Sequence, residues 1–208
     1  MKQLIVATHN EGKLREIRAL LAREPVEVLG LADIGWQQEI EETGSTFKEN
    51  ALIKARAIFE ATGQAVLADD SGLEVKAMGG GPGVDSARSM GEDVSYDIKN
   101  QAILSLLKRV TEKERAADYR CVIAFVRPGR GGRALARTAE GRVDGRIAYE
   151  AAGDGGFGYD PIFFLPDRGC TMAQLPEEEK NLISHRGLAL QAILPQIEKW
   201  IRLSGREG

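Results

Sequence analysis

The apolar run at residues 65–75 is interrupted by two adjacent carboxylates, Asp69 and Asp70, with Ser71 and Gly72 directly behind them. Buried strands seldom carry ionised groups, so this pattern restricts how the segment can fold. Asp, Ser and Gly are common turn residues, which predicts a turn between two short strands. Adjacent strand residues point to opposite faces, so both acids can share a site only if the turn redirects one of them.

The two acids allow two interpretations. Carboxylates held close together repel each other, which raises the pKa of one of them unless a cation holds them. Their hard oxygen donors favour Mg²⁺ as that cation. The alternative is a solvated turn with no chemical role. The other motifs of the chain bear on this choice.

Composition excludes several classes of protein. The chain has 208 residues and a net charge of −3, enough for one large domain or two closely joined lobes, with no basic footprint for nucleic acid. Cys121 and Cys170 form no metal-binding pattern, which favours free intracellular thiols. The N-terminal apolar stretch is too short for a signal peptide, and no segment approaches a membrane span. We expect a cytoplasmic protein with no membrane or nucleic-acid partner.

Hydrophobic periodicity predicts interleaved strands and helices. The predicted strands cover residues 4–7, 26–29, 119–126, 134–139, 141–148 and 163–165, and the predicted helices cover 14–21, 47–61, 96–110 and 187–201, the last interrupted near Pro195. The second helix has the best-marked start, because Thr46 and Glu49 form a capping box. Helices interleave with strands, but the middle reads as an antiparallel meander, so the expected class is mixed α/β.

The segment between the first strand and the first helix is a candidate anion loop. It consists of Thr8, His9, Asn10, Glu11, Gly12 and Lys13. Backbone N–H groups at a helix N-terminus, with a glycine nearby, bind phosphate well, and a lysine adds positive charge. The segment lacks the Walker A spacing. The alternative is a helix capped by asparagine, with a solvated lysine.

Two further loops carry polar or aromatic groups. Glu41 and Glu42 precede the second helix, where they can supply a metal ligand or simply favour the helix dipole. Glycines surround Phe157 and Tyr159 in the segment 155–161, which suits close stacking on a planar ligand, and Asp160 can accept hydrogen bonds there. The alternative for this second loop is a tight turn anchored by its aromatic residues.

The last motif precedes the C-terminal helix. Ser184 can cap that helix, which places His185 and Arg186 in its first turn, and Lys180 lies just upstream. Cations at a helix N-terminus oppose the helix dipole, so this position favours a nearby anionic ligand.

The three arginines of the loop at 127–133 are a phosphate patch or solvated charges of an exposed hairpin.

Together these motifs have the residue types of a nucleoside triphosphate site: cations for phosphates, carboxylates for Mg²⁺ and an aromatic loop for a base. The chain also resembles the inosine triphosphate pyrophosphatase family, which removes non-canonical purine triphosphates from the nucleotide pool. The matching stretches run in the family's order from Leu4 to about Leu190 and read ATHNEGKLREI, EETGSTFKENALIKAR, LADDSGLEV with GGGPGVDSAR, GGFGYDPIFF and EEEKNLISHRGLAL.

The resemblance implies a role for each matched residue. Asp70 would bind the metal and accept a proton, Asp69 would support it, and Glu41 would be a second metal ligand, with Glu42 as its less favoured neighbour. The residues that would contact the substrate are Thr8, His9, Asn10, Glu11, Gly12, Lys13, Ser71, Phe157, Gly158, Tyr159, Asp160, Lys180, His185 and Arg186.

The resemblance also implies a reaction and a fold. Mg²⁺ would assist attack of water on the α-phosphorus of ITP, dITP or XTP, which gives the monophosphate and pyrophosphate. The implied fold is α/β: an elongated mixed β-sheet with flanking helices, forming two lobes around a central cleft, commonly as a homodimer. We expect residues 1–208 to form one such domain.

Two other functions remain possible from the sequence. The chain could be a pyrophosphatase for other modified or ordinary nucleoside triphosphates. It could also be a nucleotide-binding sensor without catalysis, although its candidate metal acids, proton acceptor and Lys13 are all present.

Overall fold

A computed structural model describes residues 1–91 and 93–203 of the chain. Its strands and helices are, in chain order, β1 (Lys2–Val6), α1 (Glu11–Leu20), β2 (Val26–Gly30), α2 (Phe47–Thr62), β3 (Ala65–Val75), α3 (Tyr96–Leu106), β4 (Ala116–Pro128), β5 (Ala134–Ile147), β6 (Phe163–Leu165), β7 (Cys170–Thr171), α4 (Glu177–Ile183) and α5 (His185–Leu203). The strands form one sheet in the order β2-β1-β3-β4-β5-β6-β7. Strand β1 pairs parallel with β2 and β3, whereas β6 pairs antiparallel with β5 and β7. The predicted mixed α/β fold is therefore confirmed.

The turn predicted at Asp69 and Asp70 is wrong, because β3 runs without a break from Ala65 to Val75. The prediction relied on turn propensity and on the cost of burying charge. Lysine and arginine side chains neutralise both acids, so the strand can bury them. Because successive residues of a strand point to opposite faces, Asp69 and Asp70 have different neighbours.

Contact clustering divides the chain into two compact units. The first unit consists of Met1–Asp70, Cys121–Gly141 and the chain from Arg186 to the end of α5. Its core contains Leu14 and Ile17 from α1, Phe125 from β4, and Ile197 and Trp200 from α5. Burial of each large apolar side chain contributes about 2 kcal/mol. This packing fixes the start of α1, and with it the loop that precedes the helix.

The second unit consists of the described residues of Ser71–Arg120 together with Arg142–His185. Its core contains Leu73 from β3, Ile103 from α3, Tyr119 from β4 and Phe163 from β6. A buried arginine, Arg115, donates hydrogen bonds to three backbone carbonyls of the same unit, those of Leu107, Ile147 and Ala148.

Several element boundaries differ from the predicted ones. Helix α3 ends at Leu106 rather than near residue 110, and β5 is one strand where two were predicted. Helix α5 continues through Pro195, because the residues on either side of it, Ile193 and Ile197, are buried in the same core. The loop at 127–133 joins β4 and β5, which are neighbours in the sheet, as predicted for a hairpin.

The start of α2 is confirmed at Phe47. The hydroxyl of Thr46 accepts a hydrogen bond from the Glu49 backbone N–H at 3.2 Å. The Glu49 carboxylate in turn accepts from the backbone N–H of Ser45 at 2.8 Å. Thr46 and Glu49 therefore both take part in capping the start of α2. Within 1–91 and 93–203, no helix is long and apolar enough to cross a membrane.

Candidate active site

Asp69 is a fully buried carboxylate on β3, two residues beyond Leu67, where the register that β3 shares with β1 ends. Its Oδ2 lies 3.0 Å from Lys13 Nζ and 3.2 Å from both Nε and Nη2 of Arg186. Burial alone would raise the pKa of Asp69, but Lys13, Arg186 and Lys54 outweigh it and hold this pKa well below its usual range. Asp69 is therefore a permanent anion that organises the surrounding cations.

Arg186 connects Asp69 to a second buried acid. Its guanidinium also donates to the carboxylate of Glu16, which lies on α1 and is almost fully buried. Arg186 is also a predicted substrate contact, and within this unit its guanidinium joins these two acids. The role of Glu16 was missed, although a charged residue beside Leu14 and Ile17 on the apolar side of α1 was a signal for it.

Asp70 has different partners, as expected for the next residue of a strand. Its Oδ1 lies 3.5 Å from Lys54 Nζ, and the same nitrogen lies 2.6 Å from Glu42 Oε1. Burial raises the pKa of Asp70, Lys54 and Lys13 oppose this rise, and Glu42 adds to it. Asp70 is therefore the more basic carboxylate of the pair and the better proton acceptor.

The acid that approaches Asp70 is Glu42 and not Glu41, whose side chain is exposed. The segment is held against α2 by Asn50, whose Oδ1 accepts from the Gly44 backbone N–H at 2.8 Å. A Cβ at Gly44 would lie 2.6 Å from that Oδ1, so the close approach requires glycine. The sequence favoured Glu41 as the metal ligand. Which of two adjacent residues in an extended segment faces a site depends on the element that the segment packs against, here α2, and the sequence alone does not show this.

The loop before α1 holds itself in place through local hydrogen bonds. Asn10 caps the helix by accepting from the Lys13 backbone N–H at 3.0 Å, and Thr8 accepts from the Asn10 backbone N–H at 3.1 Å. His9 is exposed and its ring contacts the Gln38 carbonyl at 3.2 Å. Glu11 is exposed and Gly12 half-buried. The asparagine therefore caps the helix as the alternative interpretation expected, but Lys13 pairs with the buried Asp69 rather than with solvent.

The second unit carries a separate group of candidate residues around Asp160. Its Oδ2 accepts from the Phe157 backbone N–H at 2.9 Å and from Lys180 Nζ at 2.7 Å. The Lys180 ammonium also lies 4.7 Å from the centroid of the Phe157 ring. Gly156 has φ +70°, and a Cβ there would lie 2.2 Å from Asp160 Oδ2. Residue 156 must therefore be glycine, because its φ is positive and because a side chain would collide with the Asp160 carboxylate.

The remaining predicted contacts of this unit differ in exposure. Tyr159 is buried, and its hydroxyl donates to the Ser86 carbonyl at 2.8 Å, so it anchors the loop. Gly158 accepts at its carbonyl from Asn100 Nδ2 at 3.1 Å. His185 stacks on Tyr119, a residue that sequence reasoning did not select. Ser71 follows Asp70 in β3 and is half-buried.

The acids of the first unit fit a hard divalent cation with few protein ligands. No group of three or more His, Cys, Asp or Glu side chains suited to hold a metal occurs in the described part of the chain. Glu42 and Asp70 nevertheless both approach the Lys54 ammonium, a site that already attracts positive charge. Mg²⁺ is commonly held by one or two carboxylates together with phosphate oxygens and water. These two acids therefore fit a metal that arrives with a phosphorylated ligand.

Comparisons with known proteins agree on one family. The Ham1 family model matches residues 4–196. The chain is 46% identical to a dITP/XTP pyrophosphatase of Bacillus subtilis, covering 95% of this chain and 98% of the relative. It is 50% identical to a dITP/XTP pyrophosphatase of Geobacter sulfurreducens, covering 91% and 94%. The Ham1 protein structure of Staphylococcus aureus superposes with a TM-score of 0.83 at 38% identity, covering 96% of this chain and all of that one.

Proposed function

The chain belongs to the Ham1 family, and from this membership we propose that it hydrolyses non-canonical purine nucleoside triphosphates to the monophosphate and pyrophosphate. This proposal covers ITP, dITP and XTP, with water attacking the α-phosphorus. The observation that carries it is the pair of adjacent acids in β3, one paired with Lys13 and Arg186 and the other lying beside Lys54.

The first unit supplies the groups for triphosphate chemistry. Lys13 and Lys54 are the cations that would contact phosphate oxygens, and the capped start of α1 presents backbone N–H groups beside Lys13. Glu42 and Asp70 would hold Mg²⁺, which when bound neutralises charge on the phosphates and on the departing pyrophosphate. Asp69 would keep Lys13 in position.

Asp70 would orient the attacking water and accept its proton. A general base works best when its pKa lies close to the working pH, so a carboxylate with a raised pKa is better suited than an ordinary one. Burial raises the pKa of Asp70 in this direction. Lys54, whose Nζ lies 3.5 Å from Asp70 Oδ1, opposes this rise of the pKa.

The second unit supplies the groups for base recognition. Lys180 is held by Asp160 and would donate to the 6-oxo group of hypoxanthine or xanthine. Adenine presents an amino donor at that position, so it would leave the lysine donor unsatisfied. Such a mismatch costs about 1–3 kcal/mol for each buried group. The Phe157 ring would stack on the base.

We also propose that residues 1–208 act as one cytoplasmic domain that forms a homodimer. Size-exclusion chromatography with light scattering tests the dimer directly. A monomer at micromolar concentration would exclude it.

The substrate preference is the first test of the proposal. We expect kcat/KM for dITP and XTP to exceed that for dATP by about 5- to 150-fold, which corresponds to about 1–3 kcal/mol for one mismatched group. Pyrophosphate should be released directly, so inorganic phosphate should appear only after a pyrophosphatase is added. Rapid dATP or dUTP turnover with slow dITP turnover would favour a different nucleotide specificity. Tight binding without hydrolysis would favour a sensor.

Removal of divalent metal is the second test. We expect EDTA to stop turnover and added Mg²⁺ to restore it. Glu42→Gln should raise the Mg²⁺ concentration needed for half-maximal activity, because it removes a carboxylate that contacts Lys54 beside Asp70. Glu41→Gln is the matched control and should leave that concentration unchanged. The reverse result would return the ligand role to Glu41.

A further inference from the structure

Tyr119 lies on β4 in the second unit, with a side chain that is only 5% exposed. Its ring stacks on the His185 imidazole with a centroid distance of 4.4 Å and an angle of 12° between the planes. It also contacts the Phe163 ring at 4.5 Å. Phe163 is fully buried, so the Tyr119 ring is held in place, and the plane of the imidazole follows from it.

The hydroxyl of the same residue contacts the second group of the site. It is hydrogen-bonded to the Asp160 carboxylate, and burial together with this anion raises the pKa of Tyr119 well above its usual value. The hydroxyl therefore stays protonated and donates. Asp160 also accepts from Lys180 Nζ and from the Phe157 backbone N–H. The orientation of the Asp160 carboxylate thus sets the positions of the Lys180 ammonium and the Phe157 backbone.

We infer that Tyr119 is a positioning residue for base recognition, with a ring that fixes the plane of His185 and a hydroxyl that fixes the Asp160 carboxylate and through it Lys180. The inference rests on the proposed function, since it assigns His185 and Lys180 to the base. Tyr119 itself touches no substrate in this role. It contacts both His185 and Asp160, so a change at this one position alters the imidazole and the carboxylate that holds Lys180.

Two variants separate the ring from the hydroxyl. Tyr119→Phe keeps the stacking and removes the donor to Asp160. We expect it to reduce the ratio of kcat/KM between dITP and dATP by about tenfold, the effect of losing one hydrogen bond to a charged group. The change should lie mainly in KM for dITP. Tyr119→Leu removes the stacking as well and should reduce the ratio further.

A matched control accounts for damage to the core. Ile103→Ala disturbs the same apolar cluster without removing the Tyr119 hydroxyl, the His185 stack or the Phe163 ring. It should lower the melting temperature and leave the dITP to dATP ratio unchanged. If Tyr119→Phe and Ile103→Ala lower turnover of all substrates in parallel, with constant ratios, then Tyr119 is only a packing residue and the inference is overturned.

The NMR spectrum of the imidazoles gives a readout that is independent of activity. The chain has two histidines, His9 and His185, and His9→Gln assigns the resonances. Ring protons stacked on Tyr119 are shifted upfield. We expect this shift to persist in Tyr119→Phe and to disappear in Tyr119→Leu. An unshifted His185 signal in the wild type would contradict the stacking.

The same experiments distinguish failure of the inference from failure of the proposed function. The wild-type panel alone decides which nucleotide is preferred. The Tyr119 variants decide whether Tyr119 maintains the base preference of the wild type, whichever base the wild type prefers. A wild type that prefers another base refutes the proposed function, and an unchanged ratio in Tyr119→Phe refutes the inference.

Discussion

Asp70→Asn is expected to lower kcat by about three orders of magnitude while the protein stays folded. The loss follows from removing the proton acceptor, a contribution of roughly 10²- to 10⁴-fold, and from weakening the metal site. The substitution hardly changes the volume of the side chain, so β3 should keep its packing. Initial rates of pyrophosphate release under saturating dITP measure the effect.

The stability of this variant gives an independent check. Because burial raises the pKa of Asp70, its ionised form costs folding free energy, and this cost grows as the pH rises through the raised pKa. Neutral asparagine carries no such cost. The melting temperature of Asp70→Asn at neutral pH should therefore equal or exceed that of the wild type. Asp144→Asn, at an exposed carboxylate on β5, is the activity control. Near-normal turnover of Asp70→Asn would remove Asp70 from the mechanism.

Arg186→Met is expected to cause the largest loss of stability, about 3–5 kcal/mol, as for breaking one side of a buried ion pair. The arginine is 2% exposed and neutralises two buried acids, Asp69 and Glu16. Without it, both acids lose a charge partner that their burial requires. Urea denaturation followed by circular dichroism measures the change in the free energy of unfolding.

The pH dependence of this loss has a definite sign. In the wild type the lowered pKa of Asp69 stabilises the fold above the unfolded pKa, about 3.9, and this contribution is lost as the pH falls towards the folded value. In Arg186→Met the pKa of Asp69 is lowered less, because one of its cations is gone. Ionised Asp69 therefore contributes less to the free energy of unfolding than it does in the wild type. The stability difference between the two proteins should therefore narrow below about pH 4.

Two controls test whether the buried network is responsible. Arg142→Met removes an exposed arginine that pairs with Asp118 and Asp144, and should lower the free energy of unfolding far less than Arg186→Met, because solvent screens an exposed pair. Glu16→Gln combined with Arg186→Met should lose less than the sum of the single changes, because one of the two stranded acids is then neutral. Equal losses in Arg186→Met and Arg142→Met would contradict a stabilising role for the network.

Sequence patterns predicted most of the fold because local rules determine those parts. The start of α2 follows from the Thr46 cap, and the start of α5 at His185 follows directly after Ser184. The break predicted in β3 failed because the groups that neutralise its acids come from distant parts of the chain. Lys13, Lys54 and Arg186 are adjacent to β3 only after folding.

The candidate site was predictable in its residue types but not in its pairings. The pattern identified Asp69 and Asp70 as a pair, while their division into a permanent anion and a more basic acid required the positions of the cations. The choice between Glu41 and Glu42 required the path of the segment along α2. Tyr119 resembled an ordinary strand residue, because its partners His185 and Asp160 come from the C-terminal part of the chain.

The unbroken β3 also limits how this chain can evolve. A strand alternates sides at every residue, so inserting one residue within β3 ahead of Asp69 would move that acid to the position of Asp70, beside Lys54, and would move Asp70 to the position of Ser71. Lys13 and Arg186 would then lose the carboxylate that they share. The hairpin at 127–133 has no such constraint and can change length freely. Length variation among descendants of this chain should accumulate in that hairpin and be absent from β3.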